Sequence, residues 1–275
     1  MTGIIDFHAH AFPDKVAAGA VPALAEAGNV TPCLDGRLDS LLSAMDGAGI
    51  ERSVLCSIAT RPGQFEAILA WSKEIRSERI IPFPSFHPDN PEALPNIERI
   101  RAEGFKGVKM HPYYQDFVLD EERMFPLYER ISEAGLVLVM HTGFDIGFPR
   151  ERICDPPRIV RVIEKFPDLK LIATHLGAWE MWDEVEELLI GRPLYLDISY
   201  SLQYLAREKA RRMILAHPAD RILFGTDSPW ICQEEVLEQF RALELGTELE
   251  ERILRLNALQ LLEPESVTAL HGSLD

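Results

Sequence analysis

The feature that most constrains this chain is a repeated pairing of a short aliphatic run with a helical pattern. The runs are Ile4–His8, Ser53–Ser57, Ile80–Phe86, Lys106–His111, Leu136–His141, Leu169–His175, Leu194–Ser199 and Ile222–Thr226. They recur at the spacing of βα units in a parallel sheet, with one longer interval after the first. Eight such units predict an α/β fold of the (β/α)8 TIM barrel type. A doubly wound sheet is the runner-up, but no glycine-rich phosphate fingerprint follows the first strand. One barrel domain is expected over residues 1–275, with 264–275 a loosely held tail.

The intervening helices carry their own signals. Asp155-Pro156-Pro157 reads as an N-cap followed by proline at the first helical position. Ile159, Val160, Val162, Ile163 and Phe166 then mark one face, and Pro167 ends it. Glu121 to Ala134 closes with Gly135 in the C′ position. Thr247 to Leu262 reads as the last helix, with Thr247 and Glu250 as a capping box. Ala11 to Asp35 and Thr142 to Pro156 read as two long connections at the barrel mouth, where substrate walls and lids are built.

The 28 basic against 44 acidic residues leave a net charge of −16, which disfavours nucleic acid and anionic membranes as partners. Cys33, Cys56, Cys154 and Cys232 form no CxxC pair, so reduced thiols and a cytoplasmic location are expected. No segment reads as a leader or as a membrane span.

The polar residues at strand ends point to chemistry. In Ile4-Ile5-Asp6-Phe7-His8-Ala9-His10 the two imidazoles lie two residues apart, so an extended strand presents them on the same side. One metal ion could take both. His141 and His175 end two further runs, Lys109 and His111 share a face at the end of another, and Asp227 follows the eighth. Parallel barrel strands all end at one rim, so these groups converge, and an apolar barrel has no structural reason to gather imidazoles there. The alternative is a set of satisfied polar residues at strand ends.

The opening Ile-Asp-Phe-His-Ala-His-Ala-Phe-Pro, with Met-His-Thr-Gly, Thr-His-Leu-Gly and Phe-Gly-Thr-Asp-Ser-Pro-Trp in that order, resembles the amidohydrolase superfamily. The nearer resemblance is to the branch that includes aminocarboxymuconate-semialdehyde decarboxylase, over nearly the whole chain. It implies a metal-dependent hydrolase in a distorted (β/α)8 barrel holding one divalent ion, usually zinc. His8, His10, His141 and Asp227 would be the metal ligands, with Asp227 and His175 catalytic. In two-metal members a carboxylated lysine on the fourth strand bridges the ions. Lys109 lies near that place, but an unmodified lysine contacting a substrate anion is the favoured reading. His111, Arg150, Trp179 and Trp230 are candidate substrate contacts, with Arg152 beside Arg150 in the same loop. Asp6 is a candidate partner holding a ligand histidine in place.

The expected chemistry is attack of an activated water on an amide, ester or lactone of a small molecule, one bearing a carboxylate. Non-oxidative decarboxylation at the same site is the alternative, and a non-catalytic metal-holding binding module is weaker. Barrels of this branch are often dimers, so a homodimer is one expected arrangement.

Overall fold

A computed structural model describes residues 3–263; the tail 264–275, with His271, lies outside the described residues. The strands are β1 (Ile4–Ala9), β2 (Ile50–Cys56), β3 (Ile80–Phe83), β4 (Gly107–Met110), β5 (Val137–Met140), β6 (Lys170–Ala173), β7 (Tyr195–Asp197) and β8 (Ile222–Leu223). The helices are α1 (Asp14–Gly28), α2 (Leu38–Ala48), α3 (Phe65–Ile75), α4 (Ala93–Ala102), α5 (Pro112–Gln115), α6 (Phe125–Glu133), α7 (Pro156–Lys165), α8 (Trp182–Leu188), α9 (Arg207–Ala216), α10 (Gln233–Arg241), α11 (Thr247–Glu251) and α12 (Asn257–Leu262).

All eight expected strands form. Every pairing is parallel, in the orders β1-β2-β3 and β4-β5-β6-β7-β8. The two sheets meet at both edges. The Phe7 amide donates to the Phe224 carbonyl at 2.7 Å, and the Lys109 amide donates to the Pro84 carbonyl at 3.1 Å. The chain is therefore the (β/α)8 barrel that its spacing predicts. Most strands stop short of their polar ends, so His111, His141, His175 and Asp227 fall just beyond the last paired residue.

The barrel is filled by side chains from alternate strand positions. Ile5, Phe7, Val54, Phe83, Val139, Ile172 and Leu223 form one buried cluster, and Phe7 meets Phe83 edge to face at 5.7 Å. Ala258, Leu259, Leu261 and Leu262 of α12 join that cluster. Burial of each large side chain contributes about 1.5–3 kcal/mol.

Helix ends follow the sequence where the signal is local. Asp155 caps α7 by accepting from the Arg158 amide, and Gly135 takes the left-handed conformation at φ +69°. Two expectations need correction. Ala11 to Asp35 is not an open connection, because it contains the alanine-rich helix α1, with Pro22 inside it. Thr247 does not cap the last helix. Gly246 holds the N-cap position without a side-chain bond, and a π-helical stretch at Arg252–Leu256 separates α11 from α12.

Two of the four thiols are not free. Cys33 and Cys232 form a disulfide, with Cα atoms 5.4 Å apart and 199 residues between them in sequence. It ties the segment after α1 to the loop after β8, where the Cys33 amide also donates to the Pro229 carbonyl at 2.7 Å. Four reduced thiols were the argument for a cytoplasmic location, and the disulfide removes it. No helix of the described residues is long and apolar enough to cross a membrane.

His217 is structural. Its Nε2 donates to the Leu194 carbonyl at 2.9 Å, and its Nδ1 accepts from the Gly191 amide at 3.3 Å. Burial lowers its pKa below the ordinary 6.5. Below 6.5 the unfolded chain therefore binds a proton that the folded chain refuses. His217 keeps its full contribution above pH 6.5 and loses it as pH falls towards the lower folded value. Urea unfolding of His217→Gln, whose amide can keep both bonds, should show a shallower loss of stability between about pH 7 and 5.5 than the parent. Parallel profiles would refute this.

Candidate active site

β1 delivers His8 and His10 together, as the i, i+2 spacing requires. A second group then fixes the orientation of each ring. The Nδ1 of His8 lies 3.0 Å from Asp197 Oδ2, and the Nδ1 of His10 lies 2.7 Å from the Cys56 carbonyl. A carboxylate and a carbonyl only accept, so both Nδ1 atoms carry the proton and both Nε2 atoms present lone pairs. Asp227 Oδ1 sits 3.5 Å from His8 Nε2 and 3.0 Å from His10 Nε2. Tetrahedral ligands at about 2.1 Å from an ion stand about 3.4 Å apart. The two carboxylate–imidazole separations are close to that spacing and ligand atoms of all three residues lie within 4.8 Å of one another, so the residues fit a divalent metal.

The electrostatics agree. Burial, then the nearby Lys109 ammonium, holds the His8 pKa well below 6.5, leaving a neutral ligand. Burial pushes the Asp227 carboxyl up, but His8, His10 and His175 more than offset it, and its pKa lies below the usual 3.8. Asp227 (φ +71°) and His175 (φ +59°) both hold the left-handed conformation that non-glycine residues rarely adopt. Such strain persists where surroundings over-determine it, as at functional sites. Here the Asp227 amide is held on the His8 carbonyl at 2.7 Å, and the His175 amide on Asp197 Oδ1 at 3.1 Å.

His141 stands apart from this trio. Its Nδ1 faces His175 Nε2 at 3.1 Å, and it groups with His111 and Asp145 as a second convergent set. The rings of His111 and His141 stack at 4.0 Å, and His111 Nε2 lies 3.3 Å from Asp145 Oδ2. His175 Nδ1 lies 3.0 Å from the Ser199 carbonyl, so it donates there and Nε2 is left as acceptor. Lys109 Nζ is buried 3.2 Å from His8 Nε2. The ammonium thus faces the same lone pair a metal would use.

The remaining expected contacts divide. Lys109, His111, Trp179 and Trp230 line one cavity of about 400 Å³ with the trio. Arg150 does not, because it is largely exposed, paired with Glu180 and stacked over Phe144. Arg152 pairs with Glu184 and Asp155. Both loop arginines are paired with acidic neighbours, and neither is among the residues lining the cavity. Asp6 is buried as expected but holds no ligand ring. Its carboxylate accepts from the His8 amide, the Thr226 amide and hydroxyl, and the Gln233 amide. It fixes the turn that carries Asp227, while burial outweighs those four donors and raises its pKa to about 6. Asp197 takes the role expected of Asp6. An aspartate inside the apolar run Leu194–Ser199 was the available signal, since a fully buried carboxylate needs a reason. Asp145 carried no comparable signal. Among the cavity's buried polar atoms, His111 Nδ1 and Trp179 Nε1 have no hydrogen-bond partner in the protein.

A barrel with imidazoles and a carboxylate gathered at the strands' C-terminal rim defines a metal-dependent enzyme of the (β/α)8 class. The family model described as Amidohydrolase matches residues 5–263, and the chain belongs to that family. Solved structures share the fold. An uncharacterised TIM-barrel protein from Bordetella bronchiseptica superposes with TM-score 0.76 at 24% identity, over 94% of this chain and 98% of that one. 2,6-Dihydroxybenzoate decarboxylase from Rhizobium gives 0.69 at 18%, over 96% and 100%. A putative 2-pyrone-4,6-dicarboxylic acid hydrolase from Pseudomonas putida gives 0.65 at 21%, over 96% and 99%. Among curated proteins, the dihydroorotase of Pseudomonas savastanoi is 28% identical over 102 residues, 34% of this chain and only 29% of that protein's length. The chain is thus a member of the Amidohydrolase family, and the solved structures that share its fold include both a hydrolase and a decarboxylase by name.

Proposed function

We propose that this enzyme hydrolyses an amide, ester or lactone bond of a small molecule. The observation that carries the reading is Asp227, held in the left-handed conformation with one oxygen facing two oriented imidazoles. His8, His10 and Asp227 would hold the metal, with zinc proposed for this nitrogen and oxygen donor set. His141 is proposed as the fourth donor, exchanging its bond to His175 for the ion. A divalent ion held there supplies Lewis acidity to a substrate carbonyl and to the attacking water.

The other steps belong to side chains. Asp227 takes the proton from the water as it attacks, then returns it to the leaving nitrogen or oxygen. His175 is oriented through Ser199, so its Nε2 accepts a hydrogen bond from the attacking water and orients it. Lys109, unmodified, supplies positive charge beside His8, where a substrate oxygen gathers negative charge. A bridging carbamate on Lys109 with a second ion is the less favoured arrangement. A homodimer remains proposed from the resemblance alone.

The test is a panel of esters and lactones assayed with metal-loaded protein, with elemental analysis of metal content. Turnover that vanishes on chelation and returns with one equivalent of zinc is expected. No hydrolysis by fully loaded protein would reject the proposal. Decarboxylation of an aryl acid is the second reading, favoured by the aromatic wall of Trp179, Tyr200 and Trp230. Carbon dioxide release without incorporation of water would replace the first reading with it.

A further inference from the structure

The cavity has two unlike ends. The metal-ligand trio and Lys109 lie at the barrel rim. Over them lies α1, whose residues Val16, Ala20, Ala23 and Leu24 all line the cavity. Spacings of four, seven and eight place them on one helical face. That face is not core: Ala17 and Val21 are the buried positions of α1, whereas Val16 remains 49% exposed. An apolar helix face turned to a cavity instead of to packed protein needs an occupant of its own kind. Phe144 and Ile146 also line the cavity, and a side-chain carbon added at Gly28 would lie 2.9 Å from Ile146, so the end of α1 and this loop meet closely.

The charge inventory is equally one-sided. Among the described residues Lys109 is the one lysine or arginine lining the cavity, and it is buried against His8. Arg150, the expected clamp for a substrate carboxylate, is occupied by Glu180 outside it. A second anion on the substrate would therefore be desolvated beneath α1 with no lysine or arginine beside it.

We infer that the substrate is an acyl compound whose distal part is uncharged and apolar, of aryl or branched-alkyl bulk, seated against the inner face of α1. It differs from the sequence-based expectation of a substrate that bears a carboxylate. It rests on the hydrolase reading for the word acyl, but the apolar preference is a property of the cavity itself.

The test separates the two. Metal-loaded protein is titrated with product-like carboxylates, with intrinsic tryptophan fluorescence as readout, since Trp179 and Trp230 line the cavity. Affinity should rise about fourfold per methylene from acetate through butyrate to hexanoate. 3-Phenylpropionate should bind at least tenfold more tightly than succinate. Ala20→Lys should lose at least tenfold for 3-phenylpropionate, gain for succinate and leave acetate unchanged. Circular dichroism checks its fold, and Ala23→Lys serves if Ala20→Lys does not fold. Succinate binding as tightly as 3-phenylpropionate, or an unchanged order in the folded lysine variant, would overturn the inference. The apolar order without ester turnover would leave the inference standing and sink the hydrolase reading. Turnover confined to dicarboxylate half-esters would do the reverse.

Discussion

Asp227→Asn should lower kcat of the metal-loaded enzyme by about three orders of magnitude, the scale on which a positioned general base and charge stabiliser act together. Asparagine keeps the size and planarity of the side chain, so the fold should survive. The Asp227 amide would still donate to the His8 carbonyl, and the turn would still be held by Asp6 through Thr226. What changes is the chemistry of one group. The carboxylate that burial pushes up, and that three imidazoles hold below its ordinary pKa, is the proton acceptor at neutral pH. An amide accepts no proton there. Its NH2 can also turn towards Nε2 of His10, whose Nδ1 is held on the Cys56 carbonyl. The variant should therefore bind metal more weakly as well, so kcat is compared at saturating metal with occupancy measured on the same sample. His175→Gln should lose less, about a hundredfold, because it disturbs the one hydrogen bond that orients the attacking water and removes no metal donor. Equal kcat in parent and Asp227→Asn at equal occupancy would remove Asp227 from the chemistry.

The legible part of this protein is the part set by local pattern. Val137 to Met140 and Lys170 to Ala173 are strands because short β-branched and aliphatic runs between turn signals fit a sheet covered on both faces. The histidines just beyond them were legible because parallel strands of a barrel share one rim. The rest depended on distance. Asp6 was correctly phased into the barrel, but phase does not choose a partner: Gln233 and Thr226, more than two hundred residues away, claim its oxygens. The carboxylate that does orient His8 comes from β7, 189 residues on. The Cys33–Cys232 bond is equally invisible to spacing rules. Helix α1 was hidden for another reason. Its apolar residues are divided between the faces holding Val21 and Ala20, one packed and one lining the cavity, so the usual single stripe is blurred. The residues whose pattern read least clearly are those that shape the substrate's space.

The glycine of Met-His-Thr-Gly was legible as part of a motif, and its physical necessity predicts a second large effect. Gly143→Ala should destabilise the protein by about 3 kcal/mol or more and lower Tm by at least 6 °C, on a scale of about 2–4 °C per kcal/mol for a chain of this size. Gly143 has φ +90°, and an added Cβ would lie 2.0 Å from the Trp179 nitrogen and 2.5 Å from both Trp179 O and Ala178 C. All three are backbone atoms, which cannot swing aside as a side chain can. Three hydrogen bonds lock the approach: Trp179 donates to Thr142 at 2.9 Å, Phe144 to Trp179 at 3.1 Å, and Gly143 to Cys154 at 2.9 Å. Relief requires parting the loops after β5 and β6, which would displace Phe144, Asp145 and Trp179 from the cavity wall, so substrate affinity should fall with stability. Gly135→Ala is the control. It has φ +69° but open space around its Cβ position, so it bears conformational strain alone, about 1–2 kcal/mol. The excess loss in Gly143→Ala then measures the close approach. If both variants melt at the same temperature, the contact between these two loops is not what holds the mouth of the barrel in shape.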